Sequence, residues 1–399
     1  MKVIVSQPNK QYCNDLLIAL HQEGYLQRFY TLLASNKTTT LNSILPNKFK
    51  GELRKRHFPT IPADRIRHFP SLLAYHKLFT SDIESKIKKS FKRFDQAVAK
   101  AMSQEDYDIA LSYENANLHT FQTAKKQEKI TVLDLAQVHH NTIADINDIV
   151  PLEKGMTRES MRYMNALKEE ALSHTDYVFT LSSFARDTMI EQGIPAERVF
   201  TANLGINPEL FAPKKQWNIN KKIQFLFVGT MTYRKGLDIL LRAFHELKLP
   251  NVELVLVGPM ADAADQMEQY EGSYTYVPFL HHEELVRYYQ QADVFIFPSY
   301  LDSWAQTVVE AMACGTPAIV TEHTGAKDAV KQGGGFVIPI NDVEALKAKI
   351  LHFVEDRSEI ERLGRQATVI AQQYTWANYH RQIVENVRLI ESGNLKAEI

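Results

Sequence analysis

Residues 299–320 read SYLDSWAQTVVEAMACGTPAIV. The run VFIFPS from Val294 leads into this stretch and PAIVTE from Pro317 leaves it, with a helical pattern over Thr307–Ala313 between them. Strand, helix and strand in that order imply a right-handed βαβ unit in a parallel sheet. Two acidic side chains, Asp302 and Glu310, stand across the junction. In open parallel sheets ligands bind beyond the carboxyl ends of the strands, and a helix N-terminus there offers free N–H groups to an anion. Ser303–Thr307 is therefore a candidate phosphate-binding turn. Glu310 lies one turn further in, on a helix otherwise built of Val308, Val309, Ala311 and Met312. A carboxylate so placed is costly unless something donates to it. Two vicinal ribose hydroxyls would do so, and a structural salt bridge would do so equally well.

The same alternation extends outward in both directions. IQFLFVG from Ile223, VELVLVG from Val252, YTYVPFL from Tyr274 and GFVIPI from Gly335 complete one series of strands. VIV from Val3, DIALSY from Asp108, KITVLDLA from Lys129, YVFTLS from Tyr177 and VFTANLG from Val199 form another. Between the series, Asn207–Lys222 holds two prolines and no period, and reads as a linker. The expected architecture is α/β, with two Rossmann-like parallel-sheet domains facing across a cleft. The first spans 1–212 and the second 213–376, and a helix over 377–390 returns to the first. A chain of 399 residues suits two domains.

The net charge of −1 gives no general argument for nucleic acid. The charge is uneven, since residues 48–100 hold 14 Lys and Arg against 5 Asp and Glu. Two distant cysteines, Cys13 and Cys314, make neither a disulfide framework nor a zinc pattern and suit a reducing cytoplasm. The opening MKVIVSQPNK is too short an apolar run for a signal peptide, and no run approaches a membrane span.

FVGTMTYRKGLDIL, Phe227–Leu240, is a second equipped strand end. A strand stops at Gly229, a polar loop follows, and a helix begins near Gly236. Arg234 and Lys235 add full positive charge there, which reads either as a solvated basic turn or as a phosphate site. Together the two ends resemble the retaining glycosyltransferases of GT-B fold, family 4 (glycosyl transferases group 1). The resemblance is carried by DSWAQTVVEAMACGTPAIV as acidic-x7-acidic followed by small residues, by FVG-x5-KG, by PFLHHEEL from Pro278 and by ADVFIFPSY.

That resemblance implies that Glu310 holds the nucleotide ribose and Lys235 the diphosphate, with Gly229, Thr230 and Arg234 beside it. It implies that Ser303, Trp304, Ala305, Gln306 and Thr307 wrap phosphates and sugar, that backbone near Leu280 meets the base, and that Asp302 binds sugar hydroxyls. The family usually has Glu where this chain has Asp302, and often Arg where it has Thr230.

In the first domain, VLDLAQVHHN ends a strand with two histidines. No carboxylate or cysteine accompanies them at ligand spacing, so no metal is expected. Family members place a His after a first-domain strand against the donor sugar, and the pattern Leu-Asp-x4-His selects His139 over His140. Asp106-Tyr107-Asp108 has the Asp-x-Asp form of metal-bound sugar-nucleotide sites, yet reads more simply as a lead into a strand. In SKIKKSFKRFDQAVAKAM, 85–102, Ile87, Phe91, Phe94, Val98 and Met102 share one helix face. It reads as a core-packed helix or, second, as a helix lying on an anionic membrane at the inner surface.

The expected activity is transfer of a hexose from a nucleotide-diphosphate sugar, UDP or GDP, to a hydroxyl acceptor in polysaccharide biosynthesis. Configuration would be retained, no cofactor or metal used, and His139 and Asp302 would be the catalytic pair. Alternatives are a sugar-nucleotide epimerase or hydrolase on the same plan, or a catalytically silent binding subunit.

Overall fold

A computed structural model describes residues 1–10, 12–35, 56–79, 86–152, 155–217 and 222–393. The first sheet contains β1 (Val3–Ser6), β2 (Leu26–Thr31), β3 (Ile66–His68), β4 (Ile109–Tyr113), β5 (Ile130–Leu135), β6 (Tyr177–Thr180) and β7 (Val199–Thr201), in spatial order β3-β2-β1-β4-β5-β6-β7. The second contains β8 (Ile223–Val228), β9 (Val252–Val257), β10 (Thr275–Val277), β11 (Val294–Phe297), β12 (Ala318–Thr321) and β13 (Gly335–Ile338), ordered β10-β9-β8-β11-β12-β13. Every pairing is parallel, with Val5 opposite Phe29 and Leu111 in one sheet and Leu226 opposite Val255 and Phe295 in the other. Central strands such as VIV and VFIF are apolar throughout because helices cover both faces.

The helices that bear on the cleft are α1 (Cys13–Gln22), α2 (Lys92–Met102), α3 (Leu118–Lys126), α4 (His140–Ile149), α5 (Arg158–Ser173) and α6 (Ser183–Glu191) in the first domain. In the second they are α7 (Leu237–Leu247), α8 (His282–Gln291), α9 (Gln306–Ala313), α10 (Val343–Glu355) and α11 (Ser358–Ala371). The last helix, α12 (Trp376–Ser392), lies on α1. His380 Nε2 meets Asp15 at 3.1 Å and Arg388 donates to Glu23 at 2.7 Å, while Tyr379, Ile383 and Val387 are buried beneath. The second domain thus hands the chain back to the first.

Two strands, β2 and β3, were not among those read from the sequence. LQRFYT interrupts its apolar pattern with Arg28, whose guanidinium meets Glu105 at 3.1 Å. IRH is an edge strand of three residues, half-buried at best. Of the helix expected over 85–102, Ser85 and the side chains of Lys86–Lys88 lie outside the described residues, as does the basic stretch 48–55. Within the described part, Phe94, Val98 and Met102 are fully buried against Tyr30, Tyr107 and Ala110, and Phe94 packs edge-on against Phe69 at 6.0 Å. The apolar face needed for a membrane surface is the face that makes this core. Among the described residues, no helix is long and apolar enough to cross a membrane.

Candidate functional site

Each sheet has one point where neighbouring strands connect in opposite directions, β1 against β4 and β8 against β11. The second of these carries the basic loop. Gly236 closes it at φ +76°, and a Cβ there would lie 2.0 Å from the Pro298 carbonyl oxygen. Only glycine lets the loop after β8 approach the end of β11 so closely. That approach sets Lys235 against Asp302, and the two form an ion pair with both side chains largely buried. Lys235 Nζ also lies 4.8 Å from the centre of the Phe297 ring. Burial depresses the Lys235 pKa, with Asp302 opposing the fall. Burial works equally against the Asp302 carboxylate, but the charge and hydrogen bond of Lys235 outweigh it and hold that carboxyl below its usual value. Arg234 turns the other way and donates to the Leu301 carbonyl at 2.7 Å, while its own carbonyl accepts from Tyr300 N at 2.9 Å. Gly229 is tied by its N–H to Val257 O at 3.0 Å, and Thr230 is exposed.

Asp302 also shapes the turn that follows. Its Oδ1 accepts from Trp304 N at 3.0 Å and Ala305 N at 2.6 Å, so both of its oxygens are engaged. Ala305 is held at φ +63°, ψ +64°, a left-handed conformation that costs an L-residue about 1–2 kcal/mol. Strain of that kind gathers at ligand-binding turns. Trp304 is 3% exposed, with its ring against Tyr374 at 5.4 Å, and its indole N–H has no partner among the described residues.

The same turn is bound to the first domain. Ser182 Oγ donates to Ser303 O at 2.6 Å, Ser303 Oγ donates to Ala136 O at 2.6 Å, and Gln306 Nε2 donates to Gly205 O at 3.1 Å. Gly325 makes room for this, since a Cβ there would lie 2.0 Å from Ser303 O. Ser182 carried no signal in the sequence: it sits at the end of β6 and caps α6 through Ala185 N.

Glu310 points from α9 into the second domain and is 3% exposed. Among the described residues no cation forms a salt bridge with it. Tyr289 of α8, fully buried, donates to its Oε2 at 2.8 Å. The salt bridge entertained from the sequence is thus replaced by a neutral donor. Burial raises the Glu310 carboxyl above the ordinary value, with the tyrosine hydrogen bond pulling the other way. Tyr289 was not legible in the sequence, because one tyrosine of a YYQQ run looks like any other helical core residue. Leu280 is half-buried at the end of the segment after β10. Phe279 beside it is 64% exposed, its ring edge-on to His281 at 5.3 Å.

In the first domain β5 ends at Leu135, and Ala136, which holds Ser303, leads to His139. This histidine caps α4: its Nδ1 accepts from Asn141 N at 3.2 Å, and the ring is 4% exposed. It stacks on His140 with centres 4.1 Å apart. Burial first, and His140 second, lower its pKa to about 4; burial and then Lys168 lower that of His140 to about 4. Both rings are neutral near pH 7, and the capping bond places the His139 proton on Nε2.

The carboxylate that sequence spacing did not supply arrives from α5. Glu169 Oε2 lies 3.1 Å from His140 Nε2, and donor atoms of His139, His140 and Glu169 fall within 4.8 Å of one another. A metal-bound histidine donates its second N–H to an acceptor. His139 instead faces the Asn141 N–H with Nδ1, so coordination through Nε2 would set two donors against each other. To ligate through Nε2, His139 would have to give up its cap on α4. Asp106 and Asp108 are at the amino ends of the strands, paired with the Lys2 ammonium and the Lys2 N–H respectively, at the edge opposite the cleft.

Asp134, the acid of the Leu-Asp-x4-His pattern, is buried and accepts from Tyr12 OH at 2.9 Å, and burial raises its carboxyl to about 7. Glu114, 2% exposed, pairs with Lys168 at 2.9 Å.

Comparison with known proteins matches the fold to a known plan. Over 98% of its length the chain superposes on all of sucrose-phosphate synthase from Thermosynechococcus elongatus, with a TM-score of 0.71 and 18% identity. It superposes over 97% on Anabaena HepE in complex with UDP-glucose, covering 99% of that chain, at 0.66 and 17% identity. The fold is GT-B: two Rossmann-like parallel-sheet domains across a cleft. Residues 211–369, which include the second domain's whole sheet, match the family model described as Glycosyl transferases group 1. The O-antigen chain mannosyltransferase B of Escherichia coli is 28% identical over 251 residues, 58% of this chain and 66% of that protein. The matched segments span about half to two thirds of the length of the curated relatives.

Proposed function

We propose that this protein is a retaining glycosyltransferase that moves a hexose from a nucleotide-diphosphate sugar to a hydroxyl acceptor in the cytoplasm, in the assembly of a polysaccharide. The observation that carries the reading is Glu310: a carboxylate buried in an apolar helix, held by one neutral hydrogen bond, beside a turn bound to both domains. A ribose would give that carboxylate the two further donors it lacks. The family match to the second domain and the neighbour whose structure holds UDP-glucose support the same class of donor, with UDP or GDP as the nucleotide.

On this reading Lys235 meets the diphosphate, and Asp302 and His139 position the sugar. His139 donates from Nε2 to a sugar hydroxyl and, being neutral, adds no positive charge to the cleft. The acceptor oxygen bonds to the anomeric carbon on the face the diphosphate leaves, the carbon–oxygen bond to phosphate breaks, and the departing phosphate oxygen takes the acceptor's proton. Lys235 and the helix N-terminus at Gln306 stabilise the charge that develops, so no metal is required.

Thermal shift against UDP, GDP, ADP and their sugars identifies the donor, because a ligand bound only by the folded state raises its apparent stability. The expected result is one nucleotide and its sugar standing apart, with the shift lost in Glu310→Ala. The anomeric configuration of the product, read by NMR, tests retention. Shifts equal to those of wild type in Glu310→Ala would remove the basis of the proposal.

A further inference from the structure

A cavity of about 210 Å³ opens in the first domain between α2, α3 and α5. It adjoins a smaller space of about 20 Å³ that reaches His139 and His140, and the two share Asn115, Asn117 and Lys168 as walls. The loop Glu114–Asn117, which joins β4 to α3, feeds both. Asn117 is 5% exposed and lines the cavity, and among the described residues its side-chain amide has no hydrogen-bond partner, not even on the helix it precedes. Behind it Glu114 Oε1 has no partner either. Buried polar groups without partners are rare in folded proteins and are satisfied by ligand or solvent.

Electrostatics narrows what the ligand can be. The N-terminus of α3 would attract an anion, but Asp95 already occupies it, accepting from His119 N at 2.6 Å, Thr120 N at 2.9 Å and Thr120 Oγ1 at 2.6 Å. Lys168 is neutralised by Glu114 at 2.9 Å, and Glu170 accepts from Gln122 at 3.2 Å. An anionic group has no unclaimed helix end there, Lys92 in the lining is exposed to water that screens its charge, and the apolar wall of Leu118, Met164 and Leu167 is too small for a lipid chain. The volume equals that of about seven waters, at ~30 Å³ each, which is room for one sugar ring. Amides above an apolar wall suit a ring with hydroxyls on its edge and C–H groups on its face.

We infer that this cavity is a second acceptor subsite, so that the acceptor is a neutral oligosaccharide: its terminal sugar presents a hydroxyl near His139, and the preceding sugar lies between α3 and α5 against Asn117. The inference rests on the glycosyltransferase reading and extends it to the acceptor class.

The test uses the full chain with its best nucleotide sugar and a panel of methyl glycosides of mannose, glucose and galactose, together with their α- and β-linked disaccharides. At least one disaccharide is expected to be glycosylated with a KM about tenfold below that of its monosaccharide. Asn117→Ala should raise the disaccharide KM about tenfold, the loss of one or two hydrogen bonds, with monosaccharide transfer and the nucleotide thermal shift unchanged. The Asn117 side chain makes no hydrogen bond among the described residues, so its truncation should leave folding intact; Leu167→Trp, which fills the cavity instead, should act the same way. Equal KM values for mono- and disaccharides in the wild type would overturn the inference and leave the donor reading standing, as would equal losses on both acceptors in the variants. Absence of any nucleotide shift in the wild type would overturn both.

Discussion

Replacing Tyr289 by Phe removes a single oxygen, the donor to Glu310 Oε2 at 2.8 Å, and changes nothing else in a fully buried ring. A hydrogen bond to a charged group contributes about 1.5–3 kcal/mol. Each pKa unit corresponds to about 1.4 kcal/mol, so the Glu310 pKa, already raised by burial, should rise by a further one to two units. A ribose binds the ionised carboxylate. The affinity of the unliganded protein for the nucleotide should therefore fall as pH drops through the Glu310 pKa, and in Tyr289→Phe the fall should begin one to two pH units higher.

The stability effect has a defined sign. A carboxyl whose pKa is raised on folding binds more protons in the folded state, so stability declines as pH climbs from the unfolded value to the folded one. Tyr289→Phe should accordingly be more destabilising at pH 8 than at pH 5. Titration calorimetry with the best-binding nucleoside diphosphate from pH 5 to 9, paired with urea unfolding at both ends, measures the two effects. An unshifted affinity profile beside a clear stability loss would show that Glu310 does not hold the nucleotide, and the assignment of the site would fail.

Ala305→Gly should stabilise the protein by up to about 1 kcal/mol in urea unfolding, since glycine relieves the φ of +63° and loses part of the gain to its own unfolded-state freedom. Lys235→Met leaves the Asp302 carboxylate buried without its cation, and should cost about 3–5 kcal/mol of stability; burial, no longer opposed by Lys235, raises that carboxyl, so the loss should shrink as pH falls and the carboxyl protonates. His139→Ala should abolish turnover while keeping the nucleotide thermal shift. Because burial lowers the His139 pKa to about 4, wild-type activity should show no limb near pH 6.5, and a limb there that is missing from the residual activity of His139→Gln would refute the neutral ring.

The second domain was legible almost strand for strand, because its central strands are mainly apolar runs bounded by Gly, Pro or a helix start. The first was less so. β2 carries Arg28 in an apolar pattern, and β3 is a short exposed edge, so neither separates from its surroundings by composition. Within the site, positions were visible and partners were not. Spacing marked Asp302, Glu310 and Lys235, but nothing in one dimension shows that Lys235 closes on Asp302 across 67 residues, or that a helical tyrosine supplies the donor to Glu310. Glu169 reaches the histidine pair only because α5 folds back over the loop after β5.

The Lys235–Asp302 pair bears on the shorter side chain at position 302. With Asp in place of Glu, the carboxylate sits close enough to its own backbone to accept from Trp304 N and Ala305 N, and its second oxygen is left to Lys235. Breaking a buried pair of this kind without compensation is costly, so each ion needs a replacement partner before the pair can part. On the proposed reading a nucleotide sugar brings both: its diphosphate takes the ammonium, and a sugar hydroxyl donates to the oxygen set free. A nucleoside diphosphate alone brings only one, and leaves the carboxylate buried without its cation. The sugar nucleotide should therefore bind more tightly than the bare diphosphate, and Asp302→Asn, which no longer needs a cation, should narrow that gap. A gap unchanged in Asp302→Asn would separate the ion pair from sugar recognition.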